Sequence, residues 1–449
     1  RIIVGGKGRK HPKEADVFLH IAMKVAKNCR YVEPQFTLRF DKETSEEIWD
    51  EALDALGAGA TYPTLYNDDV NVPAVMYGMR VDEKAAEQYV PFGCTEFVIQ
   101  GQSTGTPNIC INLLKLLTIY MNDGIDPIDG KRKSGPVPLK KLEEYQTFEE
   151  FYDGYKALLD YYLDLSVKAQ YHSYEVMNQH VSFLFSSLLT DDCIARGKAL
   201  LDGGVRYLGG TNETYGNINT SDSLWVIRDL VFNQKKYTLR QLNDAMLANF
   251  NGYEALRKDC LNCDKYGNDL ETADTMANDL YEFVAKGVRD RGIAIGMQYF
   301  LIVISNNQLN TEWGNRTAAS PDGRLSCMYM NPANNPQGGA NKSGPTAMLN
   351  SLAKFDAKYH GGSVQNIKFS PSMFNENRAV IKSLFKTYFA KGGCHLMVTV
   401  VDKGVLEDAV EHPENYPDLI VRVSGFSAVF VDLSPNIQQE LLSRVLYDK

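Results

Sequence analysis

The chain has 449 residues, a formal charge of −9, 44% hydrophobic and 23% charged residues, an ordinary globular make-up with more chain than one core usually holds. The acidic balance argues against a nucleic-acid binder, and no stretch approaches the ~20 consecutive apolar residues of a membrane span. Eight cysteines without regular spacing read as cytosolic thiols, and the opening RIIVGGKGRKHPKEA has no signal-peptide layout, so the expected location is the cytoplasm. Ile2-Ile3-Val4-Gly5-Gly6 reads as strand and turn, followed by an amphipathic helix from about Ala15 to Asn28. Pro34 to Phe40 alternates as a strand, Glu46 to Leu56 is helical and ends at Gly57-Ala58-Gly59-Ala60, and Tyr62 to Asn67 is strand-like. A helix begins at Glu83, and Val90 to Phe97 reads as one short strand carrying Gly93-Cys94-Thr95-Glu96. This short alternation of strand and helix points to βα units and a parallel sheet or barrel.

After Thr106-Pro107-Asn108 a helix is expected to about Asn122, followed by the basic loop Gly130 to Gly135. Thr147 to Leu189 has a long helical pattern, read as a helix pair or one broken helix, with Tyr152, Tyr155, Tyr161 and Tyr162 as packing groups. Gly203-Gly204-Val205-Arg206-Tyr207 reads as a strand entry; helices are expected at Asp222 to Phe232, Leu239 to Asn249 and Glu271 to Arg289. Asn315 to Gly344 is a Gly/Pro/Asn-rich loop too long for a plain connector, the kind that lines a site. Then come a helix from Pro345 to Phe355, a strand at Ile367 to Phe369, a helix from Met373 to Ala390 and the apolar strand Cys394 to Val401. A short helix at Leu406 to Glu411 precedes Leu419 to Phe430, a β-rich run interrupted by Ser424-Gly425, and Asn436 to Leu446 is a closing helix.

Few residues here suit chemistry by type alone. Cys260-Leu261-Asn262-Cys263 has CxxC spacing but no second pair, so two incidental thiols are the better reading than zinc. The seven histidines show no ligand spacing and no metal is expected; His395, on an apolar strand, reads as a satisfied core histidine. No GxGxxG or GKS/T phosphate loop occurs. Cys94 alone would pass for a small core residue. On a strand it shares a face with Glu96, two residues on, so thiol and carboxylate would enter one space; the alternative is a salt-bridged structural glutamate.

From Val401 to Arg444 the text VDKGVLEDAVEHPENYPDLIVRVSGFSAVFVDLSPNIQQELLSR closely resembles the glycyl-radical domain of the pyruvate formate-lyase superfamily. Gly93-Cys94-Thr95-Glu96, preceded by Tyr66-Asn67-Asp68 and Val72-Pro73-Ala74, resembles the Cys loop of the same enzymes, and Ser320-Pro321-Asp322-Gly323-Arg324 and Gly344-Pro345-Thr346-Ala347 also look like family text. The resemblance implies an α/β fold: a ten-stranded barrel of two antiparallel five-stranded parallel halves wrapped by helices, only part of it in this chain. It implies a barrel domain with the Cys loop over residues 1–310 and a glycine-radical domain with the Gly loop over 311–449. Gly425 would store the unpaired electron, Cys94 would become the thiyl radical that takes hydrogen from substrate, and Glu96 would be the general base. Cys-x-Glu is similar to the eliminating branch, diol and glycerol dehydratases, hydroxyproline dehydratase and choline lyase. The expected activity is therefore a lyase acting on a small hydroxylated substrate. An arylacetate decarboxylase is the second reading. Acyl transfer is disfavoured because Gly93 and Thr95 flank Cys94 where that branch has two adjacent cysteines. A catalytically silent half-protein with a structural role is the third reading, since members are close to twice this length. No bound cofactor is expected; a radical S-adenosylmethionine activase, a homodimeric partner and a missing N-terminal half are the implied partners, in an anaerobic bacterium or archaeon. Ser424 and Phe426 depart from the more frequent Ala and Tyr, and Thr95 and Phe97 from Val and Pro, which leaves the substrate open.

Overall fold

A computed structural model describes residues 1–29, 31–105, 107–304 and 308–448. Its strands, in chain order, are β1 (Ile2–Gly5), β2 (Phe36–Phe40), β3 (Thr64–Asn67), β4 (Tyr89–Phe92), β5 (Glu96–Ile99), β6 (Pro107–Asn112), β7 (Gly209–Tyr215), β8 (Tyr299–Ile304), β9 (His360–Ser363), β10 (Asn366–Phe369), β11 (His395–Val400), β12 (Ile420–Arg422), β13 (Ser427–Val429) and β14 (Leu446–Tyr447). One sheet runs β1-β2-β3-β11-β10-β14: β1, β2 and β3 are parallel, β11 meets β3 antiparallel, and β10 and β14 continue parallel to β11. The second sheet, β6-β7-β8-β9, is wholly parallel. The expected α/β class, with parallel sets meeting antiparallel, is what the chain adopts. Two hairpins, β4–β5 and β12–β13, stand outside both sheets.

Local sequence explains most elements. In β8, Tyr299-Phe300-Leu301-Ile302-Val303-Ile304 is buried throughout, as a parallel strand covered on both faces must be. Helix Glu46–Gly57 starts where Ser45 accepts a hydrogen bond from the Ile48 N–H, and helix Phe148–His180 where Thr147 accepts from Glu150. The long helix is one rod of 33 residues, followed by a short helix Leu184–Leu188 after a break, and Tyr152 and Tyr155 pack in the core as expected. Among the described residues no helix is long and apolar enough to cross a membrane.

Several expectations are corrected. Thr106 lies outside the described residues; Pro107–Asn112 is strand β6 and only Leu113–Met121 is helical, because Asn112 caps that helix by accepting from the Lys115 N–H. The strand expected at Gly203 begins six residues later, since Gly203 has φ +79° and ends a helical turn. Helix Asp68–Met79 went unforeseen because Pro73 sits inside it. Val90 to Phe97 is not one strand. Tyr89–Phe92 and Glu96–Ile99 pair antiparallel, and Gly93-Cys94-Thr95 is the turn between them.

Candidate active site

The turn that carries Cys94 is set by backbone conformation. Gly93 and Thr95 both have positive φ, +49° and +94°, and the Thr95 N–H closes the turn on the Phe92 carbonyl at 3.0 Å. Thr95 is a β-branched residue in a region that such residues rarely adopt, and it is held there by packing. A Cβ on Gly362 would stand 2.4 Å from the Thr95 carbonyl oxygen, so the β9 backbone presses directly on the turn. The base of the hairpin is fixed by a buried ion pair: Arg39 donates to Asp68 through Nε at 2.9 Å and Nη2 at 2.7 Å, and its Nη1 donates to the Tyr89 carbonyl at 3.0 Å.

The second hairpin brings its own turn to the first. Arg422 pairs with Ser427, and the Val423 N–H donates to the Phe426 carbonyl at 3.1 Å, so Ser424-Gly425 forms the tip. Arg444 Nη2 donates to the Val423 carbonyl at 2.7 Å, and Ser427 Oγ to Thr61 Oγ1 at 2.9 Å, tying this tip to the closing helix and to the segment leading into β3. A Cβ built on Gly425 would lie 2.5 Å from Cys94 Cα and 2.6 Å from Cys94 Sγ. With a carbon–carbon bond of about 1.5 Å, the sulfur stands no more than about 4 Å from the Gly425 Cα. Gly425 has no positive φ; close approach, not backbone freedom, is what requires glycine there. The two residues singled out from sequence, 331 positions apart, are neighbours in space.

Glu96 joins them by a different route from the one the sequence implied. Cys94 sits on a turn, so the two-residue strand repeat does not place its thiol. Glu96 instead opens β5, and its carboxyl folds back over the turn: Oε2 would stand 2.8 Å from a Cβ on Gly93. Burial, reinforced by the nearby Glu213 carboxylate, pushes Glu96 up to about 8, against the N–H groups of Glu96 and Cys94 that favour its charged form. Burial and then the Glu96 and Glu213 carboxylates push the Cys94 thiol far up, so it keeps its hydrogen. That is the form needed for hydrogen-atom transfer.

Other residues beside Cys94 and Glu96 gave no sequence signal. Glu213 lies on β7 opposite Cys110 of β6, whose thiol is 3.7 Å from Glu213 Oε2, and Tyr215 donates to the same oxygen. β7 reads Gly-Gly-Thr-Asn-Glu-Thr-Tyr, too polar to announce a buried strand, yet all seven residues are buried. His395 lies buried on β11, as expected of a core histidine, and its Nδ1 accepts the Gln365 N–H at 3.4 Å. The cysteines of the CxxC run are free thiols on and after helix Glu254–Asn262. For a metal, one triad among the described residues has its ligand atoms within 4.8 Å of one another, His20, Glu47 and Glu51, and His20 is already paired with Glu51 at 2.7 Å.

The family models agree with this geometry. One described as pyruvate formate lyase-like matches residues 1–309, and one described as glycine radical matches 330–431, the span holding Gly425. The chain belongs to the pyruvate formate lyase-like family of glycyl-radical enzymes. It is 30% identical over 428 residues to a trans-4-hydroxy-L-proline dehydratase of Clostridioides difficile, covering 95% of this chain and 54% of that protein. A probable dehydratase of Escherichia coli is 28% identical, over 99% of this chain and 57% of that protein. The glycerol-bound B12-independent glycerol dehydratase of Clostridium butyricum superposes with a TM-score of 0.89 at 29% identity, covering 96% of this chain and 55% of that one. The chain thus spans about half the length of the glycyl-radical enzymes it matches.

Proposed function

We propose that this chain carries the radical machinery of a glycyl-radical lyase that eliminates water or another leaving group from a small hydroxylated substrate. The observation that carries the reading is the contact between Gly425 and Cys94 Sγ, which leaves no room for a side chain at 425. A radical at the Gly425 Cα takes the hydrogen of the Cys94 thiol, leaving a C–H bond and a thiyl. The thiyl takes hydrogen from the substrate's hydroxyl-bearing carbon. Glu96 accepts the proton of that hydroxyl, and a pKa near the working pH suits a group that must also return it. The ketyl radical expels the neighbouring hydroxide, which leaves as water with the returned proton. The product radical regains hydrogen from Cys94. The dehydratases described above, at 28–30% identity, support elimination, while 4-hydroxyphenylacetate decarboxylase glycyl radical subunits of Clostridioides difficile, at 26%, make decarboxylation the second reading. The radical itself would be installed by a radical S-adenosylmethionine activase, with a homodimeric assembly, a cytoplasmic location and the remaining half of the family's usual length as further parts of this reading.

The test is anaerobic activation followed by electron paramagnetic resonance. A glycine-centred doublet is expected in the parent and none in Gly425→Ala, while Cys94→Ala keeps the doublet and loses all turnover. A doublet that survives Gly425→Ala rules the assignment out.

A further inference from the structure

A cavity of about 40 Å³ lies against the β12 side of the Gly425 hairpin, walled by β10, β11, β12, the end of the closing helix Pro435–Ser443 and the long loop. One water needs roughly 10–15 Å³, so the space takes two or three waters or one small ion. Three cationic side chains line it: Lys368 of β10, Arg422 of β12 and Arg444 just past the closing helix. Among the described residues no Asp or Glu lines it.

Donors here outnumber acceptors. Lys368 is 8% exposed, and its Nζ donates to the Leu441 carbonyl at 3.0 Å, which leaves two of its three N–H groups without an acceptor among the described residues. That carbonyl belongs to the last turn of the closing helix and brings only a partial negative charge. The acidic group whose field reaches Lys368 is Glu440, and Arg444 already holds that carboxylate, through Nε at 2.9 Å and Nη2 at 2.7 Å. Burial, with Arg444 beside it, accordingly pushes the Lys368 ammonium down to about 8. Arg444 Nη2 also donates to the Val423 carbonyl at 2.7 Å, while its Nη1 has no partner among the described residues. Thr399 of β11 is half-buried on the cavity wall, and its hydroxyl likewise has none. A buried ammonium without a counter-charge is costly to keep, and one negative ion would supply that charge and meet these donors together.

We propose that the cavity binds one small monovalent inorganic anion, of the size of chloride, between Lys368, Arg444 and Thr399. The ion would tie β10 and β11 to the closing helix and, through Arg444, to the Val423 carbonyl at the base of the Gly425 tip. The site is separate from the chemistry at Cys94, so its test needs no radical. Thermal melts of the full, unactivated chain in sodium chloride and in sodium gluconate of equal ionic strength provide it, since gluconate is too large for the cavity. The midpoint in chloride is expected to rise above that in gluconate, saturably, by about 1–2 °C at about ten times the Kd. Thr399→Val, which keeps the shape and removes the hydroxyl, should weaken chloride by about fivefold, and Lys368→Met should abolish the chloride increment. Crystals of the parent soaked in sodium bromide give a readout that needs no variant, an anomalous peak in the cavity beside Lys368 Nζ and Arg444. Equal midpoints in the two salts, an increment as large in Lys368→Met as in the parent, or no bromide peak in the cavity overturns the site. Should Lys368→Met fail to fold, Thr399→Val and the bromide peak decide.

Discussion

Two glycines fix the site, each because a Cβ has nowhere to go. Gly425 has Cys94 against it, and Gly362, at φ +146°, has Thr95 against it. Glu96 is the residue whose protonation can be followed. Its proton is held more tightly folded than unfolded, since its pKa is raised from 4.5 to about 8. The stability this contributes is full at low pH and is lost as pH rises through about 8. Glu96→Gln removes the titration, so its stability relative to the parent should grow with pH, by a few kcal/mol between about pH 5 and 9. Urea unfolding across that range measures it, and a gap independent of pH would contradict the burial of the carboxyl. The same variant should lose about 10²- to 10⁴-fold in kcat with the glycine doublet retained. Parent activity should climb as pH approaches 8, because the acceptor must be ionised.

At the level of elements, the site is two hairpins meeting tip to tip, each braced from outside. The long loop between Asn315 and Gly344 has no regular structure, and Arg324 explains how it holds a shape. Its guanidinium is buried and donates to the carbonyls of Ala318 at 2.8 Å, Gly314 at 2.9 Å, Met328 at 2.5 Å, Tyr329 at 3.3 Å and Thr317 at 3.4 Å. Asp322 accepts from Asn219 Nδ2 at 2.6 Å, joining the loop to helix Asn217–Val226. The family-like run Ser320 to Arg324 is therefore a structural brace. Arg324→Met should cost on the order of 3 kcal/mol, by orphaning several buried carbonyls at once. Limited proteolysis should then cut rapidly between residues 315 and 343; resistance equal to the parent's would show that the loop is held by other means. Sequence pattern was a good guide where one face of an element is apolar, as in helix Glu46–Gly57 or β11. It failed at β7 and β9, whose residues are all buried although most are polar or glycine, so no local pattern announces them.

At the scale of the molecule, one surface region stands apart. Leu184, Phe185, Leu188 and Leu189 are 63–75% exposed, on and beside one short helix after the long rod. A cluster of this kind is an association or dye-binding surface. Anilinonaphthalene sulfonate should fluoresce strongly with the parent, and the double change Phe185→Glu, Leu188→Glu should at least halve the signal with helix content unchanged. Equal fluorescence in the two would place the exposed apolar surface elsewhere.

The amino-acid sequence pointed to the α/β class by its alternation of strand and helix, and to the thiol and the glycine by the resemblance of Gly93–Glu96 and Val401–Arg444 to glycyl-radical family text, while the turn that carries Cys94 was read there as strand. Their separation by 331 residues says nothing of distance, and only the packing of the β12–β13 tip on the β4–β5 tip brings sulfur to backbone.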